Sequence, residues 1–146
     1  MVTKEHCFDL YKKYGDMNVV LDSLGIDVIE KDFKQKTLES QIVIDHCGNA
    51  TIFIRPDLDY LYIQFLLAHE LGHYVLHYDT DISFNYYCRI YKTKTEKEAN
   101  DFACELLLSD VDSMNECLDF INKEKGIPDK IWYTYADIMK LEGKQC

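Results

Sequence analysis

The sequence predicts an α+β fold, in which a small antiparallel or mixed sheet packs beside a long active-site helix and the C-terminal half is mostly helical. Three observations predict it. Two β-branched runs, Gln41–Asp45 and Thr51–Arg55, flank the turn residues Cys47-Gly48-Asn49-Ala50 and read as a hairpin. A long apolar stretch, Tyr60 to His77, is too extended for a strand and follows the punctuation of Pro56 and Asp57. Beyond it, helical stretches near 95–108, 110–124 and 129–142 are separated by Gly126 and Pro128, with Gly143 closing the last.

The remaining elements follow in chain order. Residues 3–14 read as a helix capped by Thr3 and stopped at Gly15, with Phe8 and Tyr11 among its apolar positions. A short helix is expected from Asn18 to Leu24, ending at Gly25, and Val28-Ile29 can add a further strand. The segment from Asp79 to Thr95 is expected to be irregular or partly extended and carries Phe84, Tyr86, Tyr87 and Tyr91. No internal repeat or linker composition interrupts the 146 residues, so one domain spanning 1–146 is expected.

Charge narrows the function classes. With 16 Lys+Arg against 26 Asp+Glu the formal net charge is −10, which disfavours direct nucleic-acid binding and attraction to an anionic membrane surface. The N-terminal residues lack the apolar core of a signal peptide and no run approaches a membrane span, so a cytoplasmic location is expected. The six cysteines are scattered and form no CxxC pair. In a reducing compartment they read as small buried hydrophobes or idle thiols.

The chemistry is concentrated in His69-Glu70-Leu71-Gly72-His73. Residues four apart share a helix face, so His69 and His73 can present neutral imidazoles to one Zn²⁺. Glu70 is placed to act as general base toward a water at an open position and then as proton donor. A shuffled chain of this composition contains the pattern about once in a hundred. The apolar flanks, FLLAHELGHYVLH, predict a buried helix whose polar residues need partners.

A third protein ligand is required, and there are three candidates. His77 sits roughly 12 Å along a continuous helix from His69, whereas nitrogens sharing one ion lie within about 4 Å. His77 therefore reads as a supporting residue. Glu96 continues the packed face of Ala99, Phe102, Ala103 and Leu106, while Glu98 lies at its edge. Glu96 is the better candidate and Glu98 the alternative. Thr95-x-x-Glu98 also fits a capping box, as Thr93 could with Glu96. Gly72, Ala99 and Ala103 are small enough to let the two helices approach closely around an ion. Asn100, one turn after Glu96, is a candidate to hydrogen-bond a ligand histidine.

Together these residues resemble a known family. HELGHYVLH followed by EKEANDFACELL is similar to the ImmA/IrrE metallopeptidases, whose usual pattern is an HELGH-type helix with a trailing LH and then ExEANxFAxELL. The resemblance is strong over residues 65–108. Thermolysin-like and other gluzincins share the more general arrangement of HExxH, a downstream Glu and a polar residue four beyond it, positions held here by Glu96 and Asn100. The chain departs from the family pattern at Ile63-Gln64-Phe65-Leu66, where an Arg-Phe-Thr run is common, and at Ser109, where Pro is common.

The resemblance implies one Zn²⁺ per chain and endopeptidase activity in the bacterial cytosol. It also implies a protein substrate, typically a helix-turn-helix, DNA-binding repressor of a prophage, integrative element or stress operon. A net −10 suits a basic substrate of that kind. Extended substrate can pair with an edge strand of the hairpin region. The 79–95 segment is a candidate specificity wall, and Tyr86, Tyr87, Tyr91 and His46 are unranked candidates for oxyanion stabilisation. Mn²⁺, Co²⁺ or Fe²⁺ could occupy the same ligands. The competing expectations are a non-catalytic, metal-containing module that binds a repressor without cutting it, and a toxin–antitoxin component. An intact Glu70 argues against a purely structural metal site.

Overall fold

A computed structural model describes residues 2–77, 89–111 and 118–139, with side chains omitted at 89–93, 118–120 and 137–139. Helix α1 (Lys4–Tyr14) begins where the Thr3 hydroxyl accepts from the His6 N–H at 3.2 Å, and ends at Gly15 in a left-handed conformation, φ 67°. Helix α2 (Met17–Ser23) starts one residue before its expected position, because Asp16 caps the Asn18 N–H at 2.8 Å.

Strands β1 (Asp27–Glu30), β2 (Ser40–Ile44) and β3 (Ala50–Ile54) form a mixed sheet in the order β1-β3-β2. β1 runs parallel to β3, with Val28 opposite Ile52, and β2 runs antiparallel to it, with Ile42 also opposite Ile52. The hairpin strands lie one residue earlier than expected, for a local reason. Asp45 leaves the ladder because its Oδ1 accepts from the Cys47 and Asn49 N–H groups, both at 2.9 Å. Among the described residues β2 pairs only with β3, so its other edge is open.

Helix α3 (Tyr60–His77) matches its expected bounds and is the centre of the fold. Gln64 to Gly72 are buried without interruption, which suits a helix packed on every side. It contacts β2 and β3, the small helix α2, helix α4 (Arg89–Leu108) and helix α5 (Leu118–Lys125). Ile42, Ala50, Ile52 and Ile54 from the sheet, Leu67 and Leu71 from α3, and Leu106 and Leu107 from α4 belong to one buried cluster. Helix α6 (Asp129–Met139) adds Trp132 and Tyr135 to it.

Two expectations are corrected. α4 begins at Arg89, so the stretch 89–95 is helical rather than irregular, while residues 79–88 lie outside the described set. The threonines and aromatics there suggested an extended segment, but such propensities are a weak guide, and α4, which packs on α3, runs through them as one helix. Thr93 and Thr95 are consequently inside the helix, and neither capping box exists. The helix expected from residue 110 does not start there, and residues 112–117 lie outside the described set. The Ser109 hydroxyl donates to the Leu106 carbonyl at 2.6 Å as α4 ends, Asp110 turns to pair with Lys125 at 2.6 Å, and the next described helix starts at Leu118. Residues 140–142 lie outside the described set. Among the described residues no helix is long and apolar enough to cross a membrane.

Cys7 and Cys104 are free and buried, and Cys47 is free and exposed. Burial pushes the Cys7 thiol up to about 11 and the Cys104 thiol up to about 12, which suits packing groups. Cys88, Cys117 and Cys146 lie outside the described residues.

Candidate metal centre and cleft

The site is assembled where α3 and α4 cross. Gly72 makes the crossing close: a Cβ there would lie 3.0 Å from Phe102 Cδ1 and 3.2 Å from the Ala99 Cα. His69 precedes Gly72 by three residues and Glu96 precedes Ala99 by three, so the crossing carries both side chains to the same point.

His69 and Glu70 are 7% and 6% exposed, and groups this buried need polar partners. His69 Nε2 lies 3.0 Å from Glu96 Oε2, and His73 Nε2 lies 3.1 Å from Glu96 Oε1. The two Nε2 atoms are 3.2 Å apart. Donors held about 2.0–2.1 Å from one tetrahedral ion are separated by about 3.3 Å, close to all three distances. Two imidazole nitrogens and a carboxylate converging in this way form a donor set that fits zinc and could hold related divalent ions.

The electrostatics are mutual. Burial opposes protonation of His69, but its hydrogen bond to the Glu96 carboxylate and the charges of Glu70 and Glu96 outweigh it and raise its pKa. Burial would likewise raise the Glu96 carboxyl, yet His69 and His73 hold it well below the usual carboxylate range. The Asn100 amide also favours the charged form of His69, although His69 Nδ1 has no hydrogen-bond partner among the described residues.

The other sequence candidates take supporting positions. His77 lies beside His73 rather than at the His69–Glu96 point, with the two Nδ1 atoms 3.1 Å apart. Glu98 Oε2 faces His77 Nε2 at 3.8 Å, so it is directed away from the triad. His46 is exposed in the hairpin turn, at the opposite end of β2 from the cleft, and does not line it. Tyr86 and Tyr87 lie outside the described residues, as does the Tyr91 side chain.

A cleft of about 500 Å³ opens over the triad. One wall is the edge of β2, with Ser40, Gln41 and Ile42, and another is the Tyr62, Phe65 and Leu66 face of α3. A second hollow of about 440 Å³ adjoins it between α4 and α6, sharing Glu96, Asn100 and Ile131. Two contacts at the first cleft were not foreseen. The Ser40 hydroxyl donates to Glu70 Oε2 at 2.6 Å, and the Tyr62 hydroxyl donates to Glu39 Oε1 at 2.6 Å. Both join residues distant in the chain, and neither has a local sequence signal. Gln64, at the departure from the Arg-Phe-Thr pattern, accepts from the Met17 N–H at 2.8 Å and so tethers α2.

The model of the IrrE N-terminal-like domain, a peptidase family, matches residues 21–125 and thus most of the chain, including the sheet, α3 and α4. The chain belongs to the ImmA/IrrE family of metallopeptidases. Among its relatives, metallopeptidase ImmA of Bacillus subtilis (strain 168) is 44% identical over 59 residues, covering 40% of this chain. The aligned stretch spans 34% of that relative, about a third of its length. No solved structure matches the chain. The His69–His73–Glu96 cluster could hold the metal ion that a metallopeptidase family implies.

Proposed function

We propose that this ImmA/IrrE metallopeptidase is a zinc-dependent endopeptidase that cuts a helix-turn-helix repressor of a mobile element or stress operon. The observation that carries the reading is the convergence of His69, His73 and Glu96 within hydrogen-bonding distance of one another, in a cleft that also contains Glu70. His69, His73 and Glu96 are the proposed ligands, and His77 and Asn100 support them.

Zinc, when bound, supplies Lewis acidity that activates water near pH 7 and polarises a carbonyl. Glu70 takes a proton from the attacking water, giving a stronger oxygen nucleophile at the carbonyl carbon. As the C–N bond breaks, Glu70 delivers that proton to the leaving amine. The open edge of β2 offers backbone N–H and C=O groups to an extended substrate segment. Phe65, Leu66 and Ile42 supply an apolar wall for its side chains. The net charge of −10 favours encounter with a basic protein such as a DNA-binding repressor.

The deciding experiment compares purified wild type with Glu70→Gln, Glu96→Ala and Glu98→Ala. Metal content and cleavage of candidate helix-turn-helix repressors are measured in each. Glu70→Gln should keep one zinc per chain and lose cleavage, while Glu96→Ala should lose zinc and Glu98→Ala retain it. Repressor release that survives Glu70→Gln would favour a binding module over a peptidase. Zinc lost only with Glu98→Ala would replace the third ligand.

A further inference from the structure

We propose that Ser40 is a positioning residue for Glu70, holding the carboxylate from the substrate-binding edge strand so that one defined oxygen takes the proton. The proposal rests on Glu70 being the general base.

The Ser40 Oγ to Glu70 Oε2 distance of 2.6 Å lies in the range of hydroxyl–carboxylate bonds strengthened by the charge of the acceptor. The donor is firmly placed. Ser40 is the first residue of β2, registered opposite Ile54, and the adjacent Arg55 N–H donates to the Glu39 carbonyl at 3.0 Å. Glu70 sits mid-way along α3, among residues buried on both sides in sequence. The bond therefore joins two backbone-fixed elements across the cleft, leaving the carboxylate one preferred rotamer.

This arrangement divides the labour of the two oxygens. Oε2 is engaged by Ser40, so Oε1 is the oxygen presented for proton transfer. In the reaction a water O–H bond breaks and a Glu70 O–H bond forms, and the proton then passes to the amine nitrogen as the peptide C–N bond breaks. Ser40 keeps its own proton throughout. Its contribution is geometric: a misplaced base loses rate even when substrate binding is intact. Ser40 also lines the cleft on the strand proposed to receive substrate. Substrate pairing along β2 and aim of the base thus share one anchor.

The test uses the zinc-loaded full chain with Ser40→Ala, Ser40→Thr and Glu70→Gln. Kinetics are measured on the best-cleaved member of a library of internally quenched peptides. A separate reading takes the carboxylate ¹³C signal of Glu70 in ¹³C-Glu-labelled protein, assigned by its absence in Glu70→Gln. Ser40→Ala should lower kcat by about 10- to 100-fold, the range for losing a hydrogen bond to a charged group, with KM and zinc content unchanged. It should also move the Glu70 signal. Ser40→Thr, which keeps the hydroxyl on a residue suited to a strand, should restore both readouts. Wild-type kcat in Ser40→Ala, an unmoved signal, or failure of Thr to restore kcat would overturn the role of Ser40. Full cleavage by Glu70→Gln would instead overturn the base assignment and this proposal with it.

Discussion

His73 and His77, one turn apart on α3, meet nitrogen to nitrogen, with their Nδ1 atoms 3.1 Å apart. One of the two must carry the proton between them, and a proton on His73 Nδ1 leaves Nε2 unprotonated toward Glu96 and His69. Glu98, 3.8 Å from the other side of His77, favours this orientation of the pair. A supporting histidine of this kind should tune the metal without being required for it. His77→Ala is expected to weaken zinc binding by about 10- to 100-fold, whereas Glu96→Ala should abolish stoichiometric binding. Competition titration with a coloured chelator measures both, and equal losses would contradict the distinction.

Gly72 sets the separation of α3 and α4. An added methyl would crowd Phe102 and the Ala99 backbone at 3.0 and 3.2 Å, so Gly72→Ala should shift the helices by a few tenths of an ångström. Because His69 and Glu96 lie on opposite sides of that contact, zinc affinity should fall by roughly tenfold or more. The same titration, alongside thermal unfolding of the metal-free protein, checks it. Unchanged affinity would show that the ligands do not depend on the crossing distance.

Gly126 is constrained twice. Its φ is 72°, and a Cβ would overlap the Leu61 carbonyl at the start of α3. Gly126→Ala should destabilise the fold by at least about 2 kcal/mol. Urea unfolding would measure the loss, and a change under about 0.5 kcal/mol would refute this account.

Thiol reactivity should sort by burial. At pH 8 an alkylating reagent is expected to label Cys47 at least about tenfold faster than Cys7 or Cys104, whose thiols titrate far above that pH. Peptide mapping by mass spectrometry assigns the rates. Equal rates would mean that α1 and α4 open readily at Cys7 and Cys104.

The α+β class, the bounds of α3 and the role of Gly72 at a close crossing were legible in the sequence. The reasons are specific: HExxH at helical spacing, an apolar run of helix length, and small residues on facing stripes. The start of α4 was not legible, because threonine and tyrosine propensities are weak and tertiary context routinely overrides them. Asp45 shortened the hairpin strands through side-chain bonds that a β-branched pattern does not reveal. Ser40 was hidden for a deeper reason. A serine opening a strand is ordinary, and its meaning comes only from Glu70, thirty positions away in the chain.

The open edge of β2 has a cost for the protein in solution. A strand edge left unpaired can receive the strand of a second copy, and Ser40-Gln41-Ile42-Val43-Ile44 contains no lysine or proline to discourage it. Mutual repulsion between copies carrying −10 each opposes that pairing from a distance. Salt screens the repulsion, so the protein should self-associate more as ionic strength rises, and light scattering across a salt series would show it. A flat scattering trace would mean that the edge is guarded by something other than charge. Scattering that rises with salt would make the acidity proposed to favour a basic substrate also the colloidal shield that keeps this strand available.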